Sequence, residues 1–378
     1  MHCAFPRQAS NIMNSLRKLP LHQYHLSKSA KMSPFAGWQM PIAYGSSIEE
    51  NKQTRSTASL FDVSHMGEIQ VSGKDALNFL NYAFTNDVSG CRVGRAIYSP
   101  LCLETGGTVD DVILYRRAED DFLLCVNASN VCKDFDYLKK QGEEFNCSIV
   151  DCSDYYGQIA IQGPKSGEIV KDLFSDEVFS LKKMSFMEVE MFGSEALIAT
   201  TGYTGEDGYE IYLPSRSLPE FMDLLEPALS SGRMGWAGLA ARDSLRLEAG
   251  YPLYGNELSS EISPIQAGLS WSVDLKKSSF LGKDSLLLEK EGEIPGKVFH
   301  YQVDDRKIPR SGAHLRFKDQ IAGEVLSGGF SPLTQTPIGS AFVKCEFFSN
   351  LNQGEWFAEV RGQAVPIEFG KPVLRKRG

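Results

Sequence analysis

The sequence has no run of about 18 apolar residues, so no membrane-spanning helix is expected. It has no C-x-x-C pair among Cys3, Cys91, Cys102, Cys125, Cys132, Cys147, Cys152 and Cys345. A chain of 378 residues is long enough to bury sizeable cores without disulfide staples, so free thiols in a reducing compartment are the simpler reading. Neither G-x-G-x-x-G nor G-x-x-x-x-G-K-[ST] occurs, which argues against a dinucleotide fold or a P-loop; without G-x-S-x-G there is no nucleophile elbow. The six histidines, His2, His22, His25, His65, His300 and His314, show no metal-ligand spacing, and no metal is expected. Internal repeats and low-complexity segments are absent too.

Acids are missing before Glu49, while Arg7, Arg17, Lys18, Lys28 and Lys31 lie in that stretch; Lys371, Arg375, Lys376 and Arg377 make the other end basic. The whole chain carries −9, which excludes a nucleic-acid binder by charge, whereas the basic edges suit an acidic partner protein or a polyanionic ligand. The first twenty residues have no secretory apolar core. A cytoplasmic protein is expected, with the mitochondrial matrix as the alternative if the basic N-terminus is a transit peptide.

Residues 1–18 read as a disordered extension. Residues 19–290 interleave helices and short strands irregularly. Phe61–Val71 reads as one strand, Gly73–Phe84 as a helix, and Ala96–Leu103, Thr108–Tyr115 and Phe122–Val126 as successive strands around the Gly106-Gly107 turn. Helices are predicted over 130–141, 218–228 and 238–249, the last closed by Gly250. Past a boundary near 291–295, residues 293–374 show β runs about ten residues apart, the pattern of a small barrel or sandwich.

Three segments could carry chemistry. In Thr108-Val109-Asp110-Asp111-Val112-Ile113-Leu114-Tyr115, two aspartates sit inside an apolar strand, costly unless each finds a partner or water. Alternation places Asp111 with Val109, Ile113 and Tyr115, and Asp110 on the opposite face. A face of that kind suits a flat, mostly apolar ligand that needs one carboxylate; the alternative is two acids capping neighbouring backbone. In Thr201-Gly202-Tyr203-Thr204-Gly205-Glu206-Asp207-Gly208-Tyr209-Glu210, glycines permit close backbone approach, and Glu210 could accept paired N–H bonds from an amino-substituted heterocycle; the alternative is a hairpin with exposed acids. In the 238–250 helix, Arg242 and Arg246 share a face. An arginine there could grip a carbonyl or carboxylate, or pair with Asp243 or Glu248 on the surface.

Together these segments resemble the T-protein family, the aminomethyltransferases of the glycine cleavage system. Phe35-Ala36-Gly37-Trp38, Phe61-Asp62-Val63-Ser64-His65-Met66, Ile161-Gln162-Gly163-Pro164, Tyr254-Gly255-Asn256 and Gly268-Leu269-Ser270-Trp271 extend the resemblance over 19–369. It implies an α+β fold: a three-domain cloverleaf of two intertwined α+β domains and a C-terminal β-barrel-like domain around a central folate channel. It implies transfer of the one-carbon unit from the aminomethyl-dihydrolipoyl arm of an H-protein to tetrahydrofolate, giving 5,10-methylenetetrahydrofolate and ammonia, by a monomer or weak dimer. The implied catalytic residue is Asp111, and the implied pterin carboxylate is Glu210. Arg242 falls on the binding arginine, and Tyr98, Tyr115, Asn127, Tyr203, Met66 and Trp271 fall on folate-lining positions, with Ile113 on the Asp111 face. Asp110 should point away and matter less when mutated.

The pattern is broken twice. No tyrosine follows Tyr301 where the family carries a binding one, and Gln266 stands where an acid is common. A folate-dependent demethylase or methyltransferase of a small methylated amine or sulfonium compound is the alternative activity. A folate-binding assembly factor would carry a Lys-Gly-Cys-Tyr-type motif, and Glu248–Gly255 contains no cysteine.

Overall fold

The structure is a computed structural model that describes residues 16–292 and 294–374. Three sheets build three apolar cores, and the first two sheets share strands from interleaved parts of the chain. A five-stranded antiparallel sheet runs in the order Arg95–Cys102, Thr108–Arg116, Asp121–Val126, Gly67–Ser72 and Ser148–Asp151. Two helices, Ala76–Ala83 and Val131–Gln141, bury Phe79, Leu80 and Leu138 against Ile69, Val71, Val112, Leu114 and Leu124 on one of its faces.

A six-stranded sheet follows the order Phe186–Met191, Ser194–Ala199, Gly208–Pro214, Tyr156–Gln162, Ser59–Asp62 and Gly235–Trp236. Helices Ser166–Leu173 and Leu218–Ser230 seal one face, where Phe221, Met222 and Leu225 meet Ile159, Ile161, Ile198 and Ile211. The free faces of the two sheets pack on each other through Ala96, Tyr115, Leu123 and Cys125 from one and Phe186, Leu197, Ala199 and Tyr212 from the other.

The single strand expected over 61–71 is instead two, Ser59–Asp62 and Gly67–Ser72, lying in different sheets. The break is chemical. Asp62 Oδ1 accepts the Ser64 N–H at 2.9 Å, and the Met66 N–H bonds Val63 O, so the chain turns at Val63–Met66 and leaves one sheet for the other. This corner is what intertwines the two halves.

Seven strands over 296–370 form the third sheet, whose two edge strands are Gln363–Pro366 and Glu368–Gly370. Only Ile367 separates these edges in sequence, so the sheet must curl back on itself, around Trp356, Leu315, Val325, Ala341 and Val365. The barrel-like texture expected past Gly292 is therefore present.

A small sheet of Arg17–Lys18, Trp38–Ala43 and Lys31–Phe35 leads into the fold. Here the extension expected over 1–18 ends early: Arg17 and Lys18 pair with Trp38 and Gln39, and the Arg17 guanidinium sits 4.0 Å above the Trp38 ring. The basic residues Arg7, Arg375, Lys376 and Arg377 lie outside the described residues. The cysteines among the described residues are free thiols, and no helix among them is long and apolar enough to cross a membrane.

Candidate active site

Asp111 opens onto a cavity of about 1340 Å³ between the two packed sheets and the helix Leu239–Ala249. Its carboxylate accepts the Tyr98 hydroxyl at 3.1 Å and the Asn127 amide at 2.9 Å. Tyr98 stands on the adjacent strand, where it faces Ile113, and stacks on Trp271 at 5.4 Å. Burial, and then the neighbouring Asp110 charge, push the Asp111 carboxyl up to about 7, against the opposing pull of Tyr98 and Asn127. A carboxyl in that range can both take and return a proton near neutral pH. Burial beside Asp111 pushes the Tyr98 phenol well up, so it stays a donor.

Alternation holds for this strand except at one end. Ile113 faces the cavity with Asp111, while Val109 is buried in the helix-covered core. A register shift opposite Leu101 and Cys102 inserts an extra residue there and turns Val109 away from the face it was expected to share. Asp110 points to the helix side, as expected, and is fully buried.

Glu210 enters from the second sheet, buried at 7% exposure. The Thr201 hydroxyl donates to its Oε2 at 2.6 Å. Burial raises its carboxyl, while Thr201 and the Arg242 charge pull the other way. Tyr115 does not line the cavity. Its hydroxyl lies beneath the floor, 3.1 Å from Thr201 Oγ1 and 3.0 Å from the Tyr212 hydroxyl, and so reaches Glu210 through Thr201.

The glycines of the 202–208 loop have a packing cause. A Cβ on Gly202 or Gly208 would lie 2.0 or 2.3 Å from the Gln162 side chain. The Gln162 amide donates to Thr201 O at 3.1 Å and accepts the Thr204 hydroxyl at 2.9 Å. Arg55 pins the loop from outside, bonding Thr204 O at 2.6 Å, Glu206 at 2.9 Å and Glu248 at 2.8 Å.

The two arginines of the helix Leu239–Ala249 part ways. Arg246 is buried and spends its donors on Glu257, Asp243 and Ser327 at 2.8–2.9 Å, tying the helix to the C-terminal barrel. The Arg242 guanidinium makes no hydrogen bond among the described residues. It lies 4.8 Å over the Tyr203 ring and lines the cavity with Tyr203, Met66, Asn127 and Trp271. Tyr203 donates to Pro252 O and stacks on Tyr251 at 5.9 Å. His65, also in the lining, is held neutral: burial and the Arg242 charge push it down to about 3.

Gln266 is buried away from the cavity, and its amide donates to Glu289 on the helix Lys283–Glu291 at 2.6 Å. The tyrosine-free tail packs against the far side of the Gly202–Gly208 loop: Leu374 N bonds Glu248 O at 2.7 Å, and a Cβ on Gly205 would meet Leu374 at 2.5 Å.

Sequence reasoning did not single out Thr201 as the group that orients Glu210, Arg55 as the loop clamp, or Asn130 and Asp134 behind Asp110. The last two carried a signal: polar residues four apart on a helix whose other inward positions, Val131, Phe135 and Leu138, are apolar.

Residues 21–277 match the GCVT N-terminal domain, and residues 297–376 match the glycine cleavage T-protein C-terminal barrel domain. An aminomethyltransferase of Desulfitobacterium hafniense is 42% identical over 366 residues, covering 97% of this chain and all of that protein. One of Lysinibacillus sphaericus is 40% identical, covering 96% of this chain and 99% of its own. The crystal structure of glycine cleavage system aminomethyltransferase T from Bartonella henselae superposes with a TM-score of 0.88 at 34% identity, covering 96% of this chain and 99% of that one. A full-length match of this kind, with the acid, the buried carboxylate and the arginine on one cavity, places the chain in the aminomethyltransferase (T-protein) family of the glycine cleavage system.

Proposed function

We propose that the chain transfers the one-carbon unit of an aminomethyl group, carried on the dihydrolipoyl arm of an H-protein, to tetrahydrofolate, with release of ammonia. The methylene carbon exchanges its bonds to nitrogen and sulfur for bonds to N5 and N10 of the folate. The two folate N–H protons pass to the departing ammonia and to the lipoyl sulfur, so the products are 5,10-methylenetetrahydrofolate, ammonium and the dithiol arm.

What supports the reading most is the pairing in one cavity of two carboxylates with different neighbours. Glu210 is buried, held by Thr201 and balanced by Arg242; it suits the amino and ring N–H pair of a pterin. Asp111, held by two donors and poised near 7, suits a proton transfer at the folate N5–N10 edge. Tyr98, Trp271, Met66 and Ile113 give the flat apolar walls a pterin and aminobenzoyl ring need. The Arg242 guanidinium, without a hydrogen-bonding partner among the described residues, is free to grip a carbonyl oxygen. General acid–base help of this kind is worth about 10²–10⁴-fold, and holding both reactants in register contributes more. Low-affinity electrostatic docking of the H-protein, by a monomer or weak dimer, completes the reading.

The test is ammonia release from aminomethylated H-protein, with and without tetrahydrofolate. Release should require folate and collapse in Asp111→Asn. Absent release despite tight folate binding would move the assignment to a demethylase of small methylated compounds.

A further inference from the structure

Behind Asp111, on the helix-covered face of the same strand, lies a second buried acid cluster that the reaction as described does not use. Asp110 is fully buried. Its Oδ1 accepts the Asn127 side-chain amide at 2.8 Å and the Asn130 amide at 2.6 Å, and its Oδ2 accepts the Asn127 backbone N–H at 2.9 Å. The same Asn127 amide nitrogen reaches Asp111 Oδ1 at 2.9 Å. One side-chain NH₂ therefore bridges the two aspartates across the strand, and three donors fix the Asp110 carboxylate that holds it. Asp134, one helical turn beyond Asn130, is also fully buried. No hydrogen bond reaches its carboxyl oxygens among the described residues, and the Lys133 ammonium stands 3.9 Å from its Oδ1.

Resting on the proposed transferase reading, we propose that Asp110 is a positioning residue: it clamps Asn127 from behind so that Asn127 presents its amide to Asp111, with Asp134 completing the clamp as a hydrogen-bond donor to Asp110. Burial, and then Asp110, push the Asp134 carboxyl up to about 11, so it carries the proton this bond needs. The other ionisable groups around the cluster are Tyr98 and Tyr203 on the cavity side, and Lys133, whose ammonium caps Val109 O and lies 3.9 Å over the Tyr254 ring. On this proposal Asp110 matters although it points away from the cavity.

Asp110→Asn keeps the size of the side chain but sets an NH₂ against the donors of Asn127 or Asn130. It also removes the like charge beside Asp111. Two readouts follow. Turnover at saturating tetrahydrofolate should fall by up to about 10²-fold, the cost of misplacing a reacting group by about 1 Å, with KM for tetrahydrofolate moving less than about threefold. The titration of Asp111, followed by ¹³C-carboxyl NMR on the full chain without ligand, should move down by about one pH unit. An unchanged Asp111 titration, or a raised KM at unchanged turnover, would overturn the proposal. Asp134→Asn retains a donor toward Asp110 and Asp134→Leu does not. The Leu variant should lose about three- to tenfold in turnover and the Asn variant should recover it; this pair carries the test if Asp110→Asn fails to fold, and two variants equal to wild type would overturn it. A wild type without transferase activity would sink the proposed function while the NMR titration still tests whether Asp110 is coupled to Asp111.

Discussion

Replacing Asp111 by Asn should make the protein more stable and nearly inactive, and the gain should depend on pH in a stated direction. The carboxyl is carried from an ordinary 3.8 to about 7, first by burial and then by Asp110. Its pKa is higher folded than unfolded, so folding binds a proton between those values, and stability from this group falls as pH rises from about 4 to about 7. Each pH unit costs about 1.4 kcal/mol, a ceiling near 4 kcal/mol. Asp111 lines a solvent-filled cavity, which screens the charge, so about 1–2 kcal/mol is expected at pH 8. Asn mimics the neutral acid, and can still accept from Tyr98 or Asn127. Thermal unfolding should therefore place the variant about 1–3 °C above wild type at pH 8, with the difference shrinking as pH falls and vanishing below about pH 4, where the carboxyl is protonated in the folded and the unfolded chain alike. Turnover should drop about 10²–10⁴-fold at every pH. A Tm difference that does not change between pH 5 and pH 8, or that favours wild type at pH 8, would refute the claim that Asp111 is a buried, unfavourably ionised group.

Glu210→Gln removes the charge from the proposed pterin contact. Calorimetry should show tetrahydrofolate bound about 10–100-fold more weakly, the loss expected when charge-assisted bonds become neutral ones; an unchanged affinity would take Glu210 out of that role. Gly107→Ala places a Cβ 1.8 Å from the Ser260 carbonyl oxygen at the entry to the Asp111 strand. A loss above about 3 kcal/mol is expected, read as a lower Tm or little soluble protein, and a wild-type Tm would mean that the Ser260 loop yields freely. If basic residues such as Lys28, Lys31 and Lys371 receive an acidic H-protein, raising salt from 50 to about 500 mM should weaken the complex. Salt-independent affinity would instead assign the contact to apolar groups at the rim, where Trp271 is 67% exposed.

How much of this site was legible in the sequence depends on the range of the forces that build it. Period-two alternation is local, and it placed Asp111 and Ile113 on one face and Asp110 on the other. The same rule misplaced Val109, because the bulge that turns it away is a mismatch between two strands, and no single strand records it. It also put Tyr115 on the correct face but could not say that the second sheet covers that end of the strand, leaving Tyr115 under the floor, against Tyr212 and Thr201. The strand read over 61–71 failed for the opposite reason. Its apolar pattern is real on both sides of the corner, and the turn set by the Asp62–Ser64 and Val63–Met66 bonds breaks it.

The buried acids show where such reading stops. An aspartate in an apolar strand announces a cost, and the sequence can register that cost. Which groups offset it is set by residues thirteen to twenty-four positions away, on the neighbouring strand and on the loop and helix packed across the sheet. Asp110 and Asp111 look equivalent along the chain; in the fold one opens onto the cavity and the other is buried against Asn130 and Asp134. The two environments are nonetheless coupled through a single amide group. That coupling gives the second aspartate a reason to be present: a lone carboxylate in this cavity would titrate lower and rotate more freely, whereas one with a fixed like-charged neighbour and a clamped donor is held both in place and near neutrality.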